Sequence, residues 1–188
     1  MTLAKASLTL AEFLERPETE PASEYIDGEI LQKPVPKGKH SHLKLSLSLA
    51  INQVVGNAKL AYALPELRCS FGDRSIVPDI AVFEWARIPF DADGEVPDDF
   101  LLPPDWIIEI LSPDQSANRV TQKILYSLQH GTKLGWMVDP HDRSTLVFVP
   151  NQLPTFFEGS DRLPVLDPIP LELTCEQLFG WLKMNPAG

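Results

Sequence analysis

Apolar positions recur with two different periods along the chain. The changes of period predict a helix, a hairpin, a helix, three strands, a helix, two strands and a last helix. Thr9-Leu10-Ala11-Glu12 has the reciprocal capping pattern that opens a short helix to about Arg16. Residues 25–30 alternate around Asp27-Gly28, a pair suited to the left-handed positions of a tight hairpin turn. Residues 40–55 admit two readings. Leu43, Leu45, Leu47 and Leu49 alternate as in a strand, whereas Leu43, Leu47, Ala50, Ile51, Val54 and Val55 share one face of a helix. A run of about 16 residues is long for a strand, and its length decides for the helix.

Strand-like runs follow at 62–71, 76–83, 106–111, 135–138 and 145–149. Between the third and fourth, residues 115–130 are helical in period through Val120, Ile124 and Leu128 and are closed by Gly131. The proline-rich stretch 87–104 reads as a long loop, the kind that is functional or disordered. Residues 175–183 read as a closing helix, and no internal repeat is visible. This order predicts an α/β (α+β) fold, with a central mixed sheet flanked by helices.

Composition bounds the picture. With 188 residues, 44% hydrophobic and 22% charged, the chain is expected to form a single domain over 1–188 with a real core, which excludes disorder. No apolar run approaches the roughly 18 residues of a membrane span, and the first residues lack the form of a signal peptide. Cys69 and Cys175 stand far apart with no CxxC, so neither a zinc site nor a disulfide framework is encoded. The expectation is a soluble cytoplasmic domain.

A net charge of −10 argues against a protein that coats nucleic acid with its whole surface. The charge is uneven, however. Residues 30–65 contain five lysines and no acid, residues 115–138 contain Arg119, Lys123 and Lys133 and no acid, and residues 91–100 hold five acids. Two acid-free windows predict either a local face for phosphates or two solvated helix faces. On the first reading the backbone contacts are Lys33, Lys37, Lys39, Lys44, Arg119 and Lys133.

Two of the strand-like runs carry one acid each, Asp79 after Val77-Pro78 and Glu109 within Trp106-Ile107-Ile108-Glu109-Ile110-Leu111. A carboxylate among apolar neighbours is costly unless paired or bound to metal, and two on adjacent strands suggest a divalent cation site. The bland readings are a turn residue after proline and an outward-facing strand position. Lys123 lies about 10 Å into the helix after the Glu109 strand, with its side chain pointing back toward the strand end. It is either an ammonium beside the carboxylates or a surface lysine. His40, His42, His130 and His141 show no ligand spacing and are expected to be structural or on the surface. No Walker loop, dinucleotide-binding glycine fingerprint or GxSxG is present.

Glu24-Tyr25-Ile26-Asp27-Gly28-Glu29, Gly38-Lys39-His40, Pro78-Asp79-Ile80-Ala81-Val82, Ile108-Glu109-Ile110-Leu111-Ser112-Pro113, Lys123 and Gly135-Trp136-Met137-Val138-Asp139-Pro140 follow one another in this order. Together they resemble the Uma-two family of putative endonucleases, within the PD-(D/E)xK superfamily. The resemblance implies a restriction-endonuclease-like core in which Asp79, Glu109 and the carbonyl of Ile110 hold Mg²⁺, or Mn²⁺ in its place. The superfamily's lysine two residues after the glutamate is replaced here by Leu111, and Lys123 matches the lysine that this family carries on the following helix.

The expected function is metal-dependent hydrolysis of DNA phosphodiester bonds, with Asp79, Glu109 and Lys123 as the catalytic set. Glu24, Glu29 or Glu66 is a candidate further carboxylate. The rival readings are a DNA- or partner-binding module without catalysis and a hydrolase of another phosphorylated substrate. A homodimer is among the assemblies the sequence allows. Two close carboxylates should repel, so Asp79→Asn is expected to stabilise the metal-free fold by about 1 kcal/mol.

Overall fold

The structure, a computed structural model, describes residues 8–55, 57–113 and 115–184. Thr9 caps helix α1 (Leu10–Leu14) through the expected reciprocal bonds with Glu12. Strands β1 (Ser23–Ile26) and β2 (Glu29–Gln32) form the hairpin. Its turn places Asp27 at φ 53° and Gly28 at φ 85°, both left-handed, as a two-residue hairpin requires.

Helix α2 (Gly38–Val55) settles the ambiguous leucine run. Leu43, Leu47, Ile51 and Val55 are fully buried at helical spacing, while Leu45 and Leu49 are 58% and 60% exposed. A strand would have put all four leucines on one face.

Two of the expected strands are each broken in two. The 62–71 run divides into β3 (Ala61–Pro65) and β4 (Cys69–Phe71), and the 76–83 run into β5 (Arg74–Ile76) and β6 (Ile80–Glu84). Both breaks fall at prolines, Pro65 and Pro78, which cannot donate to a ladder. The breaks lie together, since Glu66 N bonds Asp79 O at 3.1 Å. There the chain leaves one sheet for another, a four-stranded one of order β2-β1-β5-β4. Asp79 therefore stands just before a strand rather than within one.

The remaining strands are β7 (Trp106–Ile110), β8 (Leu134–Asp139), β9 (Ser144–Phe148) and β10 (Thr155–Glu158). They complete a six-stranded mixed sheet of order β10-β9-β8-β7-β6-β3, in which β7 and β8 are parallel and every other pair antiparallel. Helix α3 (Ala117–Gln129) crosses from β7 to β8. Gly135 lets it approach, because a Cβ there would run into Ile124 Cγ2. Ser116 stands at the N-cap of α3 without a side-chain cap bond.

Helix α4 (Cys175–Gly180), capped by Thr174 and Gln177, joins α2 over one core cluster. A second cluster lies beneath α3, around Phe83, Ile107, Val120 and Ile124. Buried Phe100 anchors the long loop in that second core, with its carbonyl bonded to Ser70 N at 2.9 Å. No described helix is long and apolar enough to cross a membrane.

Candidate active site at the end of the central strand

β7 is buried along its whole length, so its single acid is conspicuous. The pairings Ile80↔Ile108 and Ala81↔Ile107 carry Asp79 to the position opposite Glu109. Each of these carboxylates is only 1% exposed. Thus the break at Pro78 places one acid at the head of β6, and the register brings it beside the acid of β7.

Other elements supply cations to this pair. From α3, Lys123 Nζ lies 2.9 Å from Glu109 Oε1 and 2.8 Å from Glu24 Oε1. Glu24, on β1, also accepts the Val77 amide at 2.8 Å. Lys33, just past β2, donates to Asp79 Oδ1 at 2.8 Å and to Val77 O at 2.7 Å. His40 Nε2 lies 3.0 Å from Asp79 Oδ2, and the Ile110 amide donates to the same oxygen at 2.8 Å.

The two facing acids are held differently. Burial alone would raise Asp79, but the Lys33 charge and the His40 hydrogen bond outweigh it and hold the carboxyl well below its usual range. Burial pushes Glu109 up to about 7; Lys123 draws it down only in part, and Asp79 pushes it up further. Neither Glu109 oxygen has a hydrogen-bond donor in suitable geometry, although the Lys123 ammonium lies close. Lys123 is held above its ordinary value, since Glu109 and Glu24 more than offset its burial. The repulsion expected between the two acids therefore falls on Glu109. Asp79 is a stabilising anion, so the expectation that Asp79→Asn stabilises the metal-free fold is reversed.

Of the three candidate further carboxylates, Glu24 sits at the cluster, Glu29 is exposed on β2, and Glu66 is half exposed and pairs with Lys44 at 2.7 Å. His40, expected to be structural or on the surface, is buried and touches Asp79. Lys33, a candidate for phosphate contact, pairs with Asp79. Lys133 lies at the other end of the sheet, paired with Glu84 and Asp105. Lys39 and Arg119 are exposed and line clefts that border the cluster, and Lys37 lines the same cleft as Lys39.

A hard divalent cation suits this donor set. Two buried carboxylates stand side by side, and Glu109 Oε2 has no partner. Among the described residues no group of three or more His, Cys, Asp or Glu converges on a metal position. A cation here would take Asp79, Glu109 and the Ile110 carbonyl, and fill its shell with water and substrate oxygens, a pattern that Mg²⁺ accepts.

A mixed sheet with two acids at the end of its central strands and a lysine beside them is the arrangement of restriction-endonuclease-like nucleases. The chain belongs to the Uma2 family, described as "Putative restriction endonuclease", whose model matches residues 10–178. Among solved structures it is similar to a putative nuclease belonging to DUF820 from Anabaena variabilis ATCC 29413. The two are 50% identical, with a TM-score of 0.92 over 93% of this chain and 99% of that one. No curated protein matches the chain significantly.

Proposed function

We propose that the protein is a Mg²⁺-dependent endonuclease that hydrolyses DNA phosphodiester bonds at the cluster of Asp79, Glu109 and Lys123. The observation that carries this reading is Glu109, a buried carboxylate opposite Asp79 whose Oε1 meets one ammonium and whose Oε2 has no partner. A structural acid in that position would have been given donors.

When bound, the divalent ion would polarise the scissile phosphate and lower the pKa of a bound water. Asp79 and Glu109 orient the acceptor oxygens on which the ion would sit. Lys33 and His40 keep Asp79 ionised and fixed. Glu24 holds Lys123 from behind, so that its ammonium stays at the cluster to offset charge developing on the phosphate or to orient the attacking water. Lys37, Lys39 and Arg119, on the bordering clefts, are placed to meet backbone phosphates, which position a strand without reading its sequence.

Ion pairing favours one second reading. With Asp79 on Lys33 and Glu109 on Lys123, the same cluster would serve a non-catalytic binding module as an internally neutralised core. A cleavage assay on plasmid DNA with Mg²⁺, with Mn²⁺ and with EDTA decides between them. Metal-dependent cleavage that Asp79→Asn and Glu109→Gln both abolish supports the nuclease. Equal cleavage by both variants, or none by the natural protein, removes that reading.

A further inference from the structure

Two lysines serve the acid cluster, and they are anchored to different degrees. Lys123 lies between two carboxylates, Glu24 at 2.8 Å and Glu109 at 2.9 Å, and is the more deeply buried of the two. Lys33, just past β2, donates to one carboxylate, Asp79 Oδ1, and to one backbone carbonyl, Val77 O. Its side chain is 10% exposed. Two clefts, of about 250 and 200 Å³, share Lys33, Pro34 and Gln115 in their walls. An ammonium on a flexible four-carbon stem has open space to enter there.

Asp79 leaves a cation one oxygen. Its Oδ2 already meets His40 Nε2 at 3.0 Å and accepts the Ile110 amide at 2.8 Å. Among the described residues Oδ1 has one partner, the Lys33 ammonium. A divalent ion and an ammonium on that same oxygen would stand no more than about 5 Å apart and repel strongly in a buried setting.

Charge balance points the same way. The carboxylates of Asp79, Glu109 and Glu24 against the ammonium groups of Lys33 and Lys123 leave one negative charge. A divalent ion added to all five groups would leave one positive charge, whereas one exchanged for Lys33 would leave none. Uncompensated buried charge is costly, so exchange is the favoured course.

We propose that Lys33 is an exchangeable counter-ion of the metal site, which holds Asp79 Oδ1 in the metal-free protein and yields it to a divalent cation by swinging into the adjoining clefts. The inference rests on the reading of a cation site at Asp79 and Glu109 and deepens it. It makes Lys33 a positioning residue that lowers the affinity of that site, because each binding event must break its bond to Asp79.

The test is a Mn²⁺ titration of the intact protein, read by the electron paramagnetic resonance of the free ion, which needs no turnover. Lys33→Gln should bind Mn²⁺ about 10-fold tighter than the natural protein, or better, the scale of one charge-assisted hydrogen bond that no longer has to be broken. Lys39→Gln removes the same charge from an exposed neighbour on α2 and should change the affinity less than about 2-fold. Unchanged or weaker binding by Lys33→Gln overturns the exchange, as does an equal gain in Lys39→Gln.

The natural protein supplies a second measurement that depends on no variant's folding. Lysine acetylation mapped by mass spectrometry should find Lys33 protected in EDTA and several-fold more reactive in millimolar Mn²⁺. Lys59, beside Trp85 at the opposite end of β6 from Asp79, should react alike in both. Protection of Lys33 that persists in Mn²⁺ overturns the proposal, and no Mn²⁺ binding by either the natural protein or Lys33→Gln removes the cation site and the exchange together. Exchange without DNA cleavage under any metal removes the nuclease reading alone. Metal-dependent cleavage with Lys33 still protected removes the exchange alone.

Discussion

One buried acid stands near each end of strand β7, and the two are held in opposite ways. Asp105, immediately before the strand, is fully buried and surrounded by donors. Glu84 N reaches its Oδ2 at 2.9 Å, while Arg87 at 2.6 Å and Lys133 at 3.2 Å reach its Oδ1. Glu109, four residues later, is as deeply buried but has no donor bond to either oxygen and one ammonium nearby. The first carboxylate has donors on both oxygens, and the second has one ammonium on Oε1 and no partner on Oε2. Burial of an acid therefore does not by itself mark a site; burial without donors does.

Activity gives the largest contrast. Under the nuclease reading, Glu109→Gln should lower metal-dependent cleavage by about 10²-fold or more, as should Lys123→Ala, the scale of losing one electrostatic stabiliser. Asp105→Asn should leave cleavage per folded molecule unchanged. A plasmid assay on all three variants checks this, and equal losses in all three would break the contrast.

Stability should reverse the order. Asp105→Asn leaves Arg87 and Lys133 facing a neutral amide, a loss of about 1–2 kcal/mol, since both cations are partly exposed and stay solvated. Asp79→Asn should likewise destabilise the metal-free protein, because Lys33, His40 and the Ile110 amide lose their anion. Glu109→Gln should instead raise the melting temperature in EDTA at about pH 8, by roughly 2–4 °C for each kcal/mol of relieved burial.

The effect of pH sharpens this further. Glu109 is raised above the unfolded carboxylate value of 4.5 to about 7, so the fold disfavours its ionised form. Its contribution is greatest below about pH 4.5 and is lost as pH rises to about 7, after which it is constant. The metal-free protein should therefore lose stability across that interval, by about 1–3 kcal/mol, and Glu109→Gln should lose less. Urea melts at the two ends of the interval measure it.

The smallest effect concerns DNA. With Lys33, Lys44 and Lys133 paired with acids, the exposed Lys39 and Arg119 supply about two phosphate contacts. The slope of log K against log salt should then be about −2 on duplex DNA. A slope near zero would point to a different substrate.

Much of this was legible in the sequence, and the misses have physical causes. The Asp27-Gly28 turn, the Thr9 cap and the three helices from α2 onward follow from local chemistry and period. The division of two strands at Pro65 and Pro78 did not, because each apolar run continues across its proline while the chain changes sheets. The edge strand β10 was hidden because Phe156 and Phe157 are its only large apolar residues and Pro154 precedes them.

At the site, Asp79, Glu109 and Lys123 stood out as charges in apolar or helical settings, and the structure brings them together. Glu24 carried the same mark as Glu109, an acid in a buried strand, but the pattern did not separate it from Glu29 and Glu66. Lys33 and His40 were illegible as partners of Asp79, because a long-range ion pair leaves no periodicity.

The most direct test of Glu109's role is a thermal melt of four proteins, the natural one, Asp79→Asn, Glu109→Gln and Asp105→Asn, each in EDTA and in millimolar Mn²⁺. A cation that binds only the folded site raises the melting temperature by mass action. The natural protein and Asp105→Asn should rise with Mn²⁺, while Asp79→Asn and Glu109→Gln should not. No rise in the natural protein, or the same rise in all four, would contradict a cation site at the end of β7.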